Sequence, residues 1–488
     1  MQSISRKMAR FALDLTYEQI PTAARREAKR FLLDSVGCAL AAIGHEDMQQ
    51  AYQYVKELGG NEQATIIGQG TKTNIANAAL MNALLIRAMD YNDIYWKQDP
   101  SHPSDIIPAA LSTGEYREAS GRDILVGIVI AYELEMRLCL AADPGVREVG
   151  WHHASLTQFV SPLVAGRMLG LTEEEMVAAV GISGSSHFTL GGVVAGHLTN
   201  MKNTADPMAT EAGVRAAMLA QTGYSGPVEV FEGKEGTFEV VSNVNWDPEK
   251  ILGGLGNEFL IMECGYKAFP TEALTHQPIT ATLEVMAENG IDPHTVGEVL
   301  VRTTTRGADI LSDSSKYRPT TKETADHSLP YCIAVAVAKG NVLPSDFAEE
   351  ALKDPFVWEL LKKIKVVADP EIDALFPKVK RAIVTITTKD GTAYTKQEDH
   401  AKGRAERPLT DEELIDKFRA NASSSMSKER MARIVEATLA LEEFAGVSEY
   451  MQLLIRDREG ITGNSVTSGP YELLAFRALC CLEWVTNS

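Results

Sequence analysis

The sequence predicts a mainly α protein that carries a smaller α+β insert. Apolar residues recur with helical period through roughly the first 270 of its 488 residues, as they do in amphipathic and buried helices. The pattern then changes: residues 296–305 alternate, and residues 380–398 form two alternating segments around Asp390-Gly391, a strong hairpin signal. Helical period resumes after Pro408, so the insert covers about 270–400.

Individual helices follow from apolar spacing and from end signals in the sequence. Pro21 starts one helix, since proline suits the first helical turn. Thr172 and Thr410 are each followed by acidic residues, which is typical of a helix N-terminus. The apolar runs predict helices over residues 21–43, 79–89, 122–142, 155–169, 209–221, 328–339 and 431–444.

Composition and charge limit the partners. Hydrophobic residues make up 45% and charged residues 23% of the chain, as in an ordinary globular protein of two or three domains. A net charge of -19 argues against nucleic acid, because phosphate binding needs clustered Lys and Arg. An anionic substrate would bind only where Lys, Arg or His locally reverse the field.

The cysteines and the apolar runs indicate a compartment. The six cysteines are few and lie mostly in apolar runs, as buried reduced thiols do. The absence of C-x-x-C argues against zinc-ribbon and iron–sulfur sites. Since no apolar run reaches the length of a membrane span and no signal-peptide core begins the sequence, we expect a cytoplasmic protein without a membrane partner.

Residues 88–107, AMDYNDIYWKQDPSHPSDII, concentrate side chains that carry chemistry. They follow an apolar helical run, and Pro100 and Pro103 exclude a regular helix beyond it. We therefore expect a buried helix that ends in carboxylates, Asp90 among them, followed by a stiff loop that presents His102. The alternative is that the carboxylates make ordinary hydrogen bonds and that His102 lies on the surface.

Other polar residues recur at the edges of apolar segments, and each alone has an ordinary structural explanation. A metal site is not predicted from His102, His152 and His153, because no two of them have ligand spacing together with a carboxylate in the same helix. The remaining residues of this kind are Lys202, Lys267, His276, His327 and Tyr331.

Several ordered elements resemble those of the MmgE/PrpD family. The stretch at 88–105 is similar to the family's Asp-rich signature with its following His-Pro-Ser. The other elements lie in the family's order over nearly the whole chain, to about Leu454. They are LLDSVGC at 32–38, GWH at 150–152, MKN at 201–203, KAFPTE at 267–272 and ETADHSLPY at 323–331.

The resemblance implies a fold and an assembly. A large all-helical domain would be built from both chain ends, residues 1–268 and 405–488, with a smaller α+β lid inserted at 269–404. The tail at 455–488 lies outside the resemblance and has no assigned role. The family also implies a homodimer and an active site between helical domain and lid that uses no cofactor or metal.

The resemblance also implies a chemistry. Family activities include 2-methylcitrate dehydration, cis-aconitate decarboxylation and iminodisuccinate epimerisation, and all three move a proton next to a carboxylate of a small polycarboxylate. Such chemistry needs a positioned base, an acid and cations. Which histidine is acid or base stays open. The catalytic residues would be Asp90, His102, His152 and Tyr331, and the substrate-binding residues Lys202, Lys267, Glu272 and His276.

The prediction is a 2-methylcitrate dehydratase, or a dehydratase of a related polycarboxylate, in propionate metabolism. Glu272 stands where the decarboxylases tend to carry His, which favours dehydration. The segment from Asp90 to His102 is two residues longer than in the decarboxylases, so the reach of His102 is open. The alternatives are decarboxylation or epimerisation at the same site, or a binding protein that has kept the fold without catalysis.

Overall fold

A computed structural model describes residues 2–195 and 198–457. The described chain is mainly helical, as predicted. The first nine α-helices, α1–α9, span Ile4–Asp14, Thr22–Ala42, Glu46–Leu58, Ile75–Arg87, Ile107–Tyr116, Gly121–Ala141, Ala154–Leu169, Glu173–Gly184 and Met201–Gln221. Helices α10–α20 span Thr237–Val240, Pro248–Leu252, His276–Asn289, Thr305–Leu311, Lys322–Ala325, Leu329–Lys339, Pro355–Leu361, Pro370–Asp373, Asp411–Ala422, Lys428–Leu439 and Val447–Leu453.

Four strands form one sheet in the order β10 (Ala393–Glu398), β9 (Ala382–Thr388), β7 (Val296–Thr303) and β8 (Ile364–Ala368). Strands β7 and β8 are parallel and the other pairs are antiparallel. The predicted hairpin is confirmed, since β9 and β10 pair across a turn that holds Gly391 at a φ of 91°. The strands β1–β10 span Ala64–Thr65, Lys72–Thr73, Tyr95–Trp96, Pro100–Ser101, Ala142–Asp143, Asn245–Trp246, Val296–Thr303, Ile364–Ala368, Ala382–Thr388 and Ala393–Glu398.

Two apolar clusters form the main cores of the described chain. The larger joins side chains of residues 4–266 with side chains of residues 409–454. The smaller joins residues 269–386 with Ile94 and Trp96. Trp96 therefore packs with the sheet-containing segment although it belongs to an early hairpin. The predicted lid boundaries at 269 and 404 stay a prediction.

Helix α9 begins at Met201 and not at the predicted residue 209. Pro207 lies inside it, because one missing backbone hydrogen bond does not end a helix that is packed on α4, α7 and α8. The correction matters for the site: Lys202 lies in the first helical turn, and Asp206 lies one turn later on the same face.

No helix of the described residues is long and apolar enough to cross a bilayer. The tail from residue 458 lies outside the described residues.

Candidate active site

Six of the eight predicted site residues line one cavity, which has a volume of ≈ 80 Å³. Its wall comes mainly from the helical segments before residue 270, with further side chains from residues 272, 273, 310 and 327. The six predicted residues are Asp90, His102, His152, Lys202, Lys267 and Glu272.

Asp90 is the centre of the charge arrangement. Helix α4 ends at Arg87, and Asp90 adopts a left-handed backbone conformation, φ 47°, that Asp tolerates better than most residues. Packing of α4 on α9 brings Lys202 to the same point. The Asp90 carboxylate pairs with Arg87, with the Lys202 ammonium at 2.9 Å and with the Lys267 ammonium at 2.7 Å.

This group, which we call the Asp90 cluster (Asp90, Arg87, Lys202 and Lys267), carries a net positive charge. Burial alone would raise the Asp90 pKa, but the charges of Lys202, Lys267 and Arg87 outweigh it and hold the pKa well below its usual range. Burial and the neighbouring cations lower the Lys202 pKa to about 8 even though Asp90 opposes them. One carboxylate thus faces three cations, which leaves positive charge for an anionic ligand.

His102 has a defined tautomer. Its Nδ1 lies 2.6 Å from the Asp93 carbonyl oxygen, which can only accept, so Nδ1 carries the proton of the neutral ring. Burial, and then the charges of Arg87 and Lys267, lower its pKa well below the usual value. His102 is therefore neutral at pH 7, with the lone pair on Nε2. A neutral imidazole of this kind can accept a proton.

His152 has the opposite tautomer. The Ala154 backbone N–H donates to its Nδ1 at 3.2 Å, so the proton of the neutral ring is on Nε2. Burial, and then the neighbouring His153, lower its pKa well below the usual value. His153 lies against it with ring centroids 3.9 Å apart, and also lies 5.6 Å from the His102 ring. The cavity thus holds one ring that accepts at Nε2 and one that donates there.

A buried chain of acids supports His153. Its Nε2 lies 3.3 Å from a carboxylate oxygen of Asp206. The Thr157 hydroxyl lies between Asp206 (3.2 Å) and Glu135 (3.1 Å), and one hydroxyl proton serves only one of two ionised acceptors. Burial raises the Glu135 pKa to about 8, whereas His153 holds the Asp206 pKa below its usual value against burial. A protonated Glu135 can then donate to Thr157, which donates to ionised Asp206.

A metal ion fits this corner poorly. His152, His153 and Asp206 each place a ligand atom within 4.8 Å of the others. However, burial lowers the pKa of both histidines most, and the charges of Arg147 and Arg87 lower it further although Asp206 opposes them. A divalent cation would meet the same repulsion, so the field suits an anion better.

Two predicted site residues do not line this cavity. The Tyr331 hydroxyl donates to the Asp346 carbonyl oxygen at 2.8 Å, inside the smaller apolar cluster. His276 is buried against Phe269 with ring centroids 5.5 Å apart, and its Nε2 lies 3.3 Å from the Thr271 carbonyl oxygen. Both residues therefore have packing partners outside the cavity lining, in the first turns of two helices of the sheet-containing segment, although His276 is near enough for the charge of Lys267 to act on its pKa.

The cavity also contains residues that the sequence analysis did not select as site residues. Arg87 ends an otherwise apolar helix run three residues before Asp90, a spacing that could have flagged it. His153 was considered only as a metal ligand. Arg147 lies in a short 3-10 helix, Val146–Val149, with no sequence pattern around it. The titratable residues of this kind that line or support the cavity are Arg87, Arg147, His153, Asp206 and His327. The Nδ1 of His327 donates to Asp326 at 2.5 Å.

Comparisons with known proteins identify the family of the chain. The MmgE/PrpD N-terminal domain matches residues 6–249, and the MmgE/PrpD C-terminal domain matches residues 269–441. The chain therefore belongs to the MmgE/PrpD family, as its sequence elements predicted.

Three relatives illustrate the range of the family. A cis-aconitate decarboxylase-like protein, oryM, of Aspergillus oryzae is 26% identical and covers 93% of this chain and 97% of its own. The cis-aconitate decarboxylase of Mus musculus is 25% identical, covering 93% and 94%. The 2-methylcitrate dehydratase of Escherichia coli O157:H7 is 26% identical, covering 90% and 95%. The prediction of a lyase of this family is confirmed, while near-equal identities leave the reaction itself open.

Proposed function

We propose that the protein is a cofactor-independent dehydratase of 2-methylcitrate or a closely related small polycarboxylate. The observation that carries the proposal is the group of three buried histidines beside the Asp90 cluster: His102 with its lone pair on Nε2, His152 with its proton on Nε2, and His153 against the Asp206 carboxylate. Elimination of water needs a base and a proton donor close together, and a polyanionic substrate needs fixed cations.

His102 is the base in this proposal. Its Nε2 takes a proton from the carbon next to a substrate carboxylate, and the electrons of that C–H bond form the carbon–carbon double bond. The C–O bond of the neighbouring carbon breaks, and its electrons leave with the hydroxide. Burial, and then the charges of Arg87 and Lys267, lower the His102 pKa and so keep the ring neutral before the reaction.

The proton donor is His153, with His152 beside it. Burial lowers the His153 pKa, the Asp206 carboxylate opposes this, and the negative charge of a bound substrate would favour the protonated ring further. This imidazolium gives its proton to the leaving hydroxide, so that water is released. His152 keeps its proton on Nε2 and donates a hydrogen bond to a substrate oxygen.

The substrate carboxylates bind to cations of the wall. Lys202 and Lys267 of the Asp90 cluster meet one carboxylate, and Arg147 of the same wall meets another. Glu272 is held by the Leu274 backbone N–H, which donates to its carboxylate at 2.6 Å. Its negative charge would repel a carboxylate but accept from the substrate hydroxyl, which favours a hydroxy acid. Tyr331 and His276 have no part in this proposal.

A moving segment follows from the size of the cavity. Its ≈ 80 Å³ is small beside the roughly 300–1,000 Å³ usual for ligand sites, so a substrate enters only after the wall opens. The wall residues of the 269–404 segment, among them Glu272, Ile310 and His327, would open as the predicted lid. Equal domain angles with and without bound tricarboxylate would contradict this. A homodimer, cytoplasmic localisation and propionate metabolism stay predictions.

The test is a substrate comparison. Purified protein is mixed separately with 2-methylcitrate, citrate, cis-aconitate and iminodisuccinate, and products are followed by NMR and by carbon dioxide release. We expect an alkene tricarboxylate from 2-methylcitrate, and its loss in His153→Gln. Carbon dioxide from cis-aconitate as the dominant product would replace the dehydratase with the decarboxylase, the second candidate that relatives of equal identity support.

A further inference from the structure

A second, larger cavity lies beside the first. Its volume is ≈ 580 Å³, which is within the range of small-molecule sites. Trp96 belongs to the walls of both cavities. The other walls come from Gly265 on one side and from residues 377–380 and 399–406 on the other. None of these residues has a part in the proposed dehydration.

Three cations of this cavity, which we call the Arg404 cluster (Lys378, Lys380 and Arg404), have no carboxylate within ion-pair distance among residues 2–195 and 198–457. Four cations of the wall face three carboxylates. Lys97 pairs with Glu263, Asp399 forms a two-point pair with Arg381 outside the wall, with both N···O distances 2.7 Å, and Glu406 lies 4.0 Å from His400 and acts on Arg404 and Lys380 only at longer range. The wall therefore carries uncompensated positive charge on a protein of net charge -19.

Arg404 shows that a partner is missing. Its Nη2 is buried and has no hydrogen-bond partner in the part of the chain that the structure describes. A buried unsatisfied donor is costly, and a charged one more so. Gly265 packs against the same side chain: a Cβ on Gly265 would lie 3.3 Å from the Arg404 Cδ. The backbone thus holds the guanidinium at the cavity without giving it an acceptor.

Lys380 is held in place but not neutralised. Its ammonium donates to the carbonyl oxygens of Trp96 (3.0 Å) and Pro377 (3.1 Å) and lies 5.1 Å from the Trp96 ring centroid. These acceptors are uncharged. Burial, and then the charge of Arg404, lower the Lys380 pKa to about 7. A bound anion would offset both effects.

We propose that the second cavity is an anion site that binds a small carboxylate or phosphate group between Arg404 and Lys380, with Lys378 at its edge. The planar guanidinium offers two parallel donors to an oxyanion, and the ammonium adds a third. Since Trp96 belongs to both walls and the charge of Glu272 in the first cavity acts on Arg404 and Lys380, an anion bound here would act on the catalytic cavity as an effector.

The test is calorimetric titration of the whole protein with inorganic phosphate and, separately, with succinate. We expect binding that Arg404→Gln and Lys380→Gln each weaken roughly tenfold or more, since hydrogen bonds to charged groups are lost. Lys97→Gln is the matched control, because that cation of the same wall is already paired, and it should bind as wild type does. Binding of only one of the two probes would identify the group as carboxylate or phosphate.

The variant Lys202→Met distinguishes anion binding at the second cavity from anion binding at the catalytic cavity. Binding at the second cavity should survive this substitution, whatever becomes of the dehydratase activity. Binding that is lost in Lys202→Met and kept in Arg404→Gln, or no binding of either probe to wild type, would overturn the proposal. If Arg404→Gln does not fold, by circular dichroism, the exposed Lys378→Gln and Lys380→Gln carry the test.

Discussion

The protein has two clusters of cations on neighbouring cavities, and they differ in one respect. In the Asp90 cluster a buried carboxylate lies between three cations, at 2.7 and 2.9 Å from the two lysines. The Arg404 cluster has no such carboxylate among the described residues, and one guanidinium nitrogen is buried without a partner. The first cluster carries its own counter-ion, and the second does not.

The difference shows two ways to hold positive charge in an acidic protein. An internal carboxylate lets three cations be buried together, since breaking a buried pair is costly while keeping it is tolerable. The net positive charge that remains can bind an anionic substrate reversibly. A cluster without a counter-ion stays nearer to solvent, and its lysine has a lower pKa, about 7 against about 8 for Lys202.

Removing the internal counter-ion should have the largest effect. Asp90→Asn would leave Arg87, Lys202 and Lys267 buried together, so we expect a loss of about 3–5 kcal/mol in the free energy of unfolding and no measurable turnover. Urea unfolding and product NMR measure the two effects. Glu349→Gln is the control, because Glu349 forms an exposed ion pair with Lys353, and such a pair contributes little to stability. An Asp90→Asn protein as stable as wild type would contradict the internal counter-ion.

Removing the base should stop the chemistry without loosening the Asp90 cluster. His102→Gln keeps a side-chain donor for the Asp93 carbonyl but cannot take a proton, so we expect kcat to fall about 10²–10⁴-fold with KM nearly unchanged. The control is His294→Gln, because His294 is exposed, packs on Phe356 and does not line the cavity. Equal losses of kcat and of affinity would indicate that His102 only positions the substrate.

The pH dependence should distinguish the cations of the first cluster. The Lys202 pKa of about 8 means that its charge is present at pH 7 and is lost as the pH rises through 8. We expect kcat/KM to fall by up to about tenfold per pH unit above that point, since one proton governs the fraction that binds. Lys202→Arg should move this fall to higher pH, because guanidinium stays charged. A profile that Lys202→Arg leaves in place would assign the fall to another group.

Much of the fold could be predicted from local pattern, and part of the site could not. Period and turn signals placed α2, α6, α7 and the β9–β10 hairpin within a residue or two, because each depends on neighbouring residues. Asp90, His102 and Lys202 were selected from short motifs, and the structure brings them to one cavity. Tyr331 and His276 lie outside its lining, since motif proximity does not give the direction of a side chain on a buried helix. The Arg404 cluster carried no motif and depends on segments distant in sequence.

Removing a cation from the second cluster should have the smallest effect on stability. Arg404→Met replaces an unpaired buried charge with an apolar chain of similar length, a change that is neutral or stabilising by up to about 1 kcal/mol because no ion pair is broken. Urea unfolding in a buffer free of phosphate and carboxylate measures it. Adding succinate should then stabilise wild type but not Arg404→Met, since only a bound ligand shifts the folding equilibrium. A loss comparable to that of Asp90→Asn would mean that Arg404 already has an internal counter-ion, and the contrast between the two clusters would fail.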